Sequence, residues 1–345
     1  MPSRHVRHVH RAVGSLVAGL AFVAWAAPAP AAVAEAPADP PGCARSALPT
    51  GGVHIVCSQG VPAGTSLNGT DKADIIEVSG GDAHLNGAVN GLGGDDVITV
   101  DRIRASGGSF EIRGSIDGGD GDDRITVTDQ DRFSVEGPIH GGAGDDTITT
   151  GGVSFRGLID GGAGDDRITT GGVHSAVIDG GEGNDTLQLA AYVVPAYDKS
   201  SRLDGGPGND TITVGSLSGP LHGGPGADEI TVNGIGRLTG RLIRTVTVDG
   251  DEGADVIRLG AIGVDDGELP GLVRGGAGAD LIEVPSVGQG RNATVSGGDD
   301  DDVIQGPGGT SVVVGQYGTV DGGRGDNLCR TDNRAGGTVT NCGAV

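Results

Sequence analysis

Asp204-Gly205-Gly206-Pro207-Gly208-Asn209-Asp210-Thr211-Ile212-Thr213-Val214 joins two kinds of local structure in eleven residues. Gly205, Gly206 and Gly208 accept positive φ without a Cβ clash, so this half folds as a tight loop with inward carbonyls. Asp210 closes the loop with a carboxylate. Thr211 to Val214 then alternates polar and apolar with β-branched residues, which predicts a short strand burying Ile212 and Val214. Carbonyls closed by a carboxylate suit a hard cation, and calcium best, because it accepts six to eight flexible oxygen ligands.

The unit recurs. Its closing acid is Asp74, Asp96, Asp123, Asp146, Asp166, Asp185, Asp210, Asp228, Asp255, Asp280 and Asp302, and Asn327 holds the place in a twelfth copy. The mean spacing is 23 residues (253 residues over eleven intervals), within limits of 18 and 27. Two residues after each Asp comes an aliphatic, from Ile76 and Ile98 to Ile282 and Ile304, and another precedes most glycine pairs, as at Ile116, Ile139, Ile159, Ile178, Leu203 and Leu221. Each period therefore holds one loop and two short strands. On these residues about three quarters of the chain resembles the RTX family of calcium-binding repeats, Gly-Gly-x-Gly-x-Asp-x-aliphatic-x. The resemblance implies an all-β fold, a right-handed parallel β-solenoid of about twelve rungs over residues 67–328. Two nonapeptides give the 18-residue coil of a two-sheet β-roll, whereas a mean of 23 also suits a three-sided β-helix. The loops favour the roll.

The resemblance also implies a cation site. In the family, calcium sits between loops of successive coils, held by loop carbonyls and by the Asp of both loops. Carried over, the candidate ligands are Gly118 with Asp123, Gly141 with Asp146, Gly161 with Asp166, Gly180 with Asp185, Gly205 with Asp210, Gly223 with Asp228 and Gly275 with Asp280, followed by Asp96, Asp255 and Asp302. The second turn of each coil lacks the motif, which predicts one column of Ca2+ rather than two. Departures gather toward the ends. Lys72 brings an ammonium to the Asp74 loop, Gly250-Asp251-Glu252-Gly253 loses its second glycine, Gly297-Gly298-Asp299-Asp300 loses its last, and Asn327 is neutral.

Composition agrees with a solenoid. Gly supplies 70 of 345 residues, against one Met, one Trp, three Tyr and four Phe. That is too little apolar volume for an ordinary core of this length, but stacked rungs need only a few aliphatics each. A net charge of −23 excludes nucleic acid as a natural partner. Residues 1–34 read as a secretory signal, with Arg4, Arg7 and Arg11 before the apolar run Ala12 to Ala27, and Ala32-Val33-Ala34 before a cut. The expectation is a secreted, extracellular chain with no membrane span after cleavage. Cys43 and Cys57 lie in a 35–66 cap, and Cys329 and Cys342 in a 329–345 cap. Four cysteines in an exported chain allow three pairings, and Cys43–Cys57 with Cys329–Cys342 is expected because a rigid solenoid holds its ends apart.

No His-Glu-x-x-His or Gly-x-Ser-x-Gly is present, and no stretch outside the repeats could hold a catalytic domain. The chain is read as a non-enzyme with a structural or interaction role. The leading alternative is a polysaccharide binder or carbohydrate-active enzyme on a β-helix, which would need ring-stacking aromatics, here Phe110, Phe133, Phe155, Tyr192, Tyr197 and Tyr317. A cell-surface adhesin is a third class. His140 and His222 stand where other copies carry Asp and read as isolated, exposed loop residues. Outward Thr147, Thr149, Thr211 and Thr213 raise ice binding, but Arg124, Arg167 and Glu229 interrupt the first threonine rank and Glu77, Gln188, Arg258 and Glu283 the second.

Overall fold

Strand periodicity turns into two stacked sheets wherever an aliphatic repeats every other residue. The computed structural model describes residues 38–79, 85–101, 110–128, 133–154, 157–194, 198–235, 246–262, 271–290 and 292–343. The signal reading of 1–34 lies outside them. Strands that follow the loops, such as Arg124–Thr128, Arg167–His174 and Thr211–Val214, pair in parallel in one sheet. Strands that precede the loops, such as Ile116–Asp120, Leu158–Ala163 and Pro220–Pro225, pair in parallel in a second. Each loop carries the chain from the second sheet to the first, giving a parallel β-solenoid.

Register stacks like on like. In the after-loop sheet, Ile55, Ile76, Ile98, Ile125, Ile148, Ile168, Leu187, Ile212, Ile230, Ile257, Ile282, Ile304 and Cys329 are successive partners. In the before-loop sheet the column runs from Leu67 and Val89 through Ile116, Ile139, Ile159, Ile178, Leu203 and Leu221 to Val320 and Val339. The buried members of both columns join one apolar cluster running from Ile55 to Cys329. Each fully buried aliphatic contributes about 1.5–3 kcal/mol, so a rung is stable only against its neighbours.

The longer second turns supply a partial third side. Phe110–Ile112 pairs with Phe133–Val135, and Ser286–Val287, Val312–Val314 and Thr331–Asp332 form a second short ladder. The coil is thus a two-sheet roll that opens into a three-sided helix where the period allows. Tyr192, in the long after-loop strand Thr186–Val193, is fully buried, with its hydroxyl donating to the Ala176 carbonyl at 3.0 Å.

Both ends are closed covalently. Cys43–Ala47 runs antiparallel to Val53–Cys57 and covers the first edge of the after-loop sheet, held by the Cys43–Cys57 disulfide. At the other end Cys329–Cys342 ties the last strand of one sheet to the chain just beyond Thr338–Thr340, the last strand of the other. The local pairing is as expected, and no cysteine is left free. No helix among the described residues is long and apolar enough to cross a membrane.

Candidate metal centre

The loop-closing acids stand one above another inside the solenoid wall. Asp96, Asp123, Asp146, Asp166, Asp185, Asp210, Asp228, Asp255, Asp280 and Asp302 are each only 1–2 % exposed. Their position follows from the strand: the aliphatic residue two positions on must face the core, so the Asp also turns inward, at the corner where loop becomes sheet. Each backbone N–H in the column donates to Oδ1 of the next Asp along the chain, at 2.7–3.0 Å, from Asp74 N to Asp96 Oδ1 through to Asp280 N to Asp302 Oδ1. One carboxylate oxygen per rung is therefore committed to joining two coils.

The other oxygen is orphaned. Oδ2 of all ten acids is buried and accepts no hydrogen bond. It faces a notch above the first glycine of its own loop. A Cβ placed on Gly161 would stand 2.4 Å from Asp166 Oδ2 and 2.2 Å from the carbonyl oxygen of Gly180 in the next coil. The same pair of oxygens closes on Gly118, Gly141, Gly180, Gly205, Gly223 and Gly275, and also on Gly91, Gly250 and Gly297. The first glycine is thus needed for space, since any side chain would fill the notch. Two acceptors converging with no protein donor between them call for a proton, a cation or a buried water. An all-oxygen, partly anionic donor set is the chemistry of calcium.

Electrostatics agree. Burial raises these carboxyls well above the usual range, partly offset by the amide bond to Oδ1, and neighbouring carboxylates raise them further. Asp166 is pushed up to about 8, Asp96, Asp146, Asp210, Asp255 and Asp280 to about 7, and Asp123, Asp185, Asp228 and Asp302 to about 6. A carboxyl whose folded pKa lies above its unfolded value stabilises the fold at low pH and loses that contribution as pH rises through the folded value. In chelator, the melting temperature should therefore fall between about pH 4 and pH 8, and excess calcium should reduce or reverse the slope. A chelated protein that is more stable at pH 8 than at pH 5 would contradict this picture of the column.

Departures from the motif have visible consequences. Thr70 replaces the second glycine of the Asp74 loop, and its N–H and hydroxyl both bond Asp74 Oδ2, while Val53 N–H bonds Oδ1. Asp74 is satisfied without an ion. At the far end Asn327 Oδ1 accepts from Asp302 N–H at 2.8 Å, and its amide group stands where an orphan oxygen would be. Between these ends, the incomplete loops keep the common shape because Leu92, Asp251 and Asp300 take the positive φ of the glycines they replace, 84°, 73° and 82°. Asp96, Asp255 and Asp302 consequently present the same orphan oxygen as the seven intact rungs.

Sequence reasoning missed a second ladder. Where the residue before a buried acid is Asp or Asn, it is exposed and its side chain joins coils: Asp145 N–H donates to Asp122 Oδ1, Asp165 N–H to Asp145 Oδ1, Asn184 N–H to Asp165 Oδ1 and Asn209 N–H to Asn184 Oδ1. It runs opposite to the buried one, and its sequence signal was the run of Asp and Asn before the closing acid. The reading of His140 and His222 as isolated is also corrected. His140 Nδ1 lies 3.3 Å from Asp160 Oδ2, and His222 Nδ1 lies 3.1 Å from Asp251 Oδ2.

Known proteins bear on the same residues. The family model of the RTX calcium-binding nonapeptide repeat, in four copies, matches residues 115–131, 139–152, 158–174, 177–189 and 198–216. Between residues 115 and 216 the chain carries RTX-type calcium-binding repeats. Those segments contain the intact loops from Asp123 to Asp210. The solenoid is also similar to the crystal structure of a hyperactive, Ca2+-dependent, β-helical antifreeze protein from an Antarctic bacterium, with 25% identity over 81% of this chain and 85% of that one, at a TM-score of 0.54. No curated protein matches the chain.

Proposed function

We propose that this is an exported protein whose solenoid folds when its acidic column meets extracellular calcium, yielding a rigid scaffold with a structural or interaction role. The observation that carries the reading is the file of ten buried carboxylates, each with one oxygen tied to the neighbouring coil and one without a partner. Oδ2 of Asp96, Asp123, Asp146, Asp166, Asp185, Asp210, Asp228, Asp255, Asp280 and Asp302 would ligate the ions, with the carbonyls of the first glycines of successive loops. Bound calcium supplies positive charge that neutralises the column and removes the cost of burying it. Inside a cell the ionised loops repel. At about 1 mM calcium and a Kd near 10⁻⁴ M, each site contributes about 1.4 kcal/mol. Ten such sites rival the whole stability of a typical domain.

Export rests on the basic and apolar pattern of residues 1–34. The scaffold reading is favoured over a sugar-binding one by Tyr192, which is buried in the core rather than offered as a stacking platform. The reading is tested by circular dichroism of the chain in chelator. Calcium should restore β signal and raise the melting temperature, while magnesium substitutes poorly because it demands small octahedral sites. A spectrum and melting temperature that calcium leaves unchanged would overturn it.

Ice binding is a second reading. Register aligns Thr99, Thr126, Thr149, Thr169, Thr213 and Thr231 in one outward rank, interrupted by Gln188 and continued by Glu77 at one end and Arg258 and Glu283 at the other. The parallel rank beside it mixes Arg124, Arg167 and Glu229 with threonine, which disfavours an ordered water layer. Thermal hysteresis in the calcium-loaded protein would favour this reading, and its absence would remove it.

A further inference from the structure

The position before the first glycine faces outward from the before-loop sheet, and the register stacks Asp204, His222, Asp249 and Arg274 there on four successive coils. Asp251 approaches from the side. It occupies the second glycine position of the next loop, with φ +73°, and this conformation sets its carboxylate beside the imidazole. One ligand-type atom from each of His222, Asp249 and Asp251 lies within 4.8 Å of the other two. All three line a cleft of about 570 Å³, with Arg202, Asp204 and Glu252 around them. Asp204 is already engaged by Arg202, at 3.2 Å.

We propose that His222, Asp249 and Asp251 bind a second divalent cation, of the zinc class, at this outward cleft. A nitrogen donor with two carboxylates suits zinc and its neighbours rather than calcium, which takes oxygen alone. Ligands about 2.0–2.1 Å from a tetrahedral ion stand roughly 3.4 Å apart, so the cluster needs a contraction of at most about 1.4 Å, with water completing the shell. Arg274 Nη1 holds Asp249 Oδ2 at 3.2 Å and fixes the carboxylate from outside, the usual part of a supporting partner.

His140 is a control built into the same chain. It holds the place of His222 four loops earlier, with Asp160 in register where His222 meets Asp249. The position equivalent to Asp251 there is Gly162, so His140 lacks the third ligand. The site arises at the one coil where a histidine is followed by a loop carrying acid in place of its second glycine.

The experiment is zinc titration of the full chain in saturating calcium, read by calorimetry, with cobalt(II) as the visible-absorption probe of coordination. Asp251→Gly restores the residue the backbone favours at this position, so the calcium-induced fold should survive while the ligand is lost. Asp251→Gly and His222→Asn should each bind one zinc fewer, or bind it at least about 10-fold more weakly, and lose the cobalt band. His140→Asn should match wild type, and the remaining histidines are common to all four chains. Zinc binding that is equal in wild type and Asp251→Gly, or lowered as much by His140→Asn, would overturn the assignment.

Discussion

Gly161→Ala should destabilise the calcium-loaded protein by about 3 kcal/mol, and Gly172→Ala by less than about 0.5 kcal/mol. The substitution is the same, and the two positions lie eleven residues apart in sequence. The difference comes from what a methyl group meets. At Gly161 it would stand 2.2 Å from the Gly180 carbonyl oxygen and 2.4 Å from Asp166 Oδ2, filling the notch and parting two coils. At Gly172 it would meet nothing within 4 Å, and its partner in the next coil is already Ala191. Denaturant melts in calcium would show the contrast. Equal losses would mean that the first glycine serves only the turn.

The second large effect is a change of sign. Asp166→Asn should stabilise the protein in chelator by about 1 kcal/mol and destabilise it relative to wild type in calcium. The amide oxygen can still accept from Asp146 N–H, while the NH2 group becomes a donor facing the Gly180 carbonyl, as Asn327 does naturally against the carbonyl of Asn341 at 3.4 Å. The orphan acceptor disappears, and so does the ligand. Asp74→Asn should behave differently, because both Asp74 oxygens already accept hydrogen bonds. An amide there meets Thr70 N–H donor to donor, costing about 1–3 kcal/mol with or without calcium. Coupling in a solenoid passes between nearest neighbours, so Asp166→Asn should also divide the cooperative unit near its middle. If Asp166→Asn and Asp74→Asn respond alike to calcium, the motif does not mark the sites.

Much of this was legible because the repeat places chemistry and packing in the same frame. Ile168 and Ile212 announce the core, Asp166 and Asp210 the column, and the four cysteines the two caps. What was hidden depends on register between coils, which variable periods of 18–27 residues obscure. That Asp166 commits one oxygen to Asp146 N–H follows from how coils stack, not from the motif. Thr150 and Thr170 lie in register between Val127 and Leu189, on the inward face where apolar residues were to be expected. His222 and Asp251 meet across 29 residues, a separation that no motif spans. The third side was equally invisible, because the longer second turns carry no regular pattern.

Calcium uptake counted directly, by equilibrium titration against a chromophoric chelator, tests the central claim most simply. One ion per orphan carboxylate oxygen predicts about ten per chain. The account further predicts fewer ions in Asp166→Asn and an unchanged number in Asp74→Asn. No uptake at millimolar calcium, or the same loss in both variants, would contradict it.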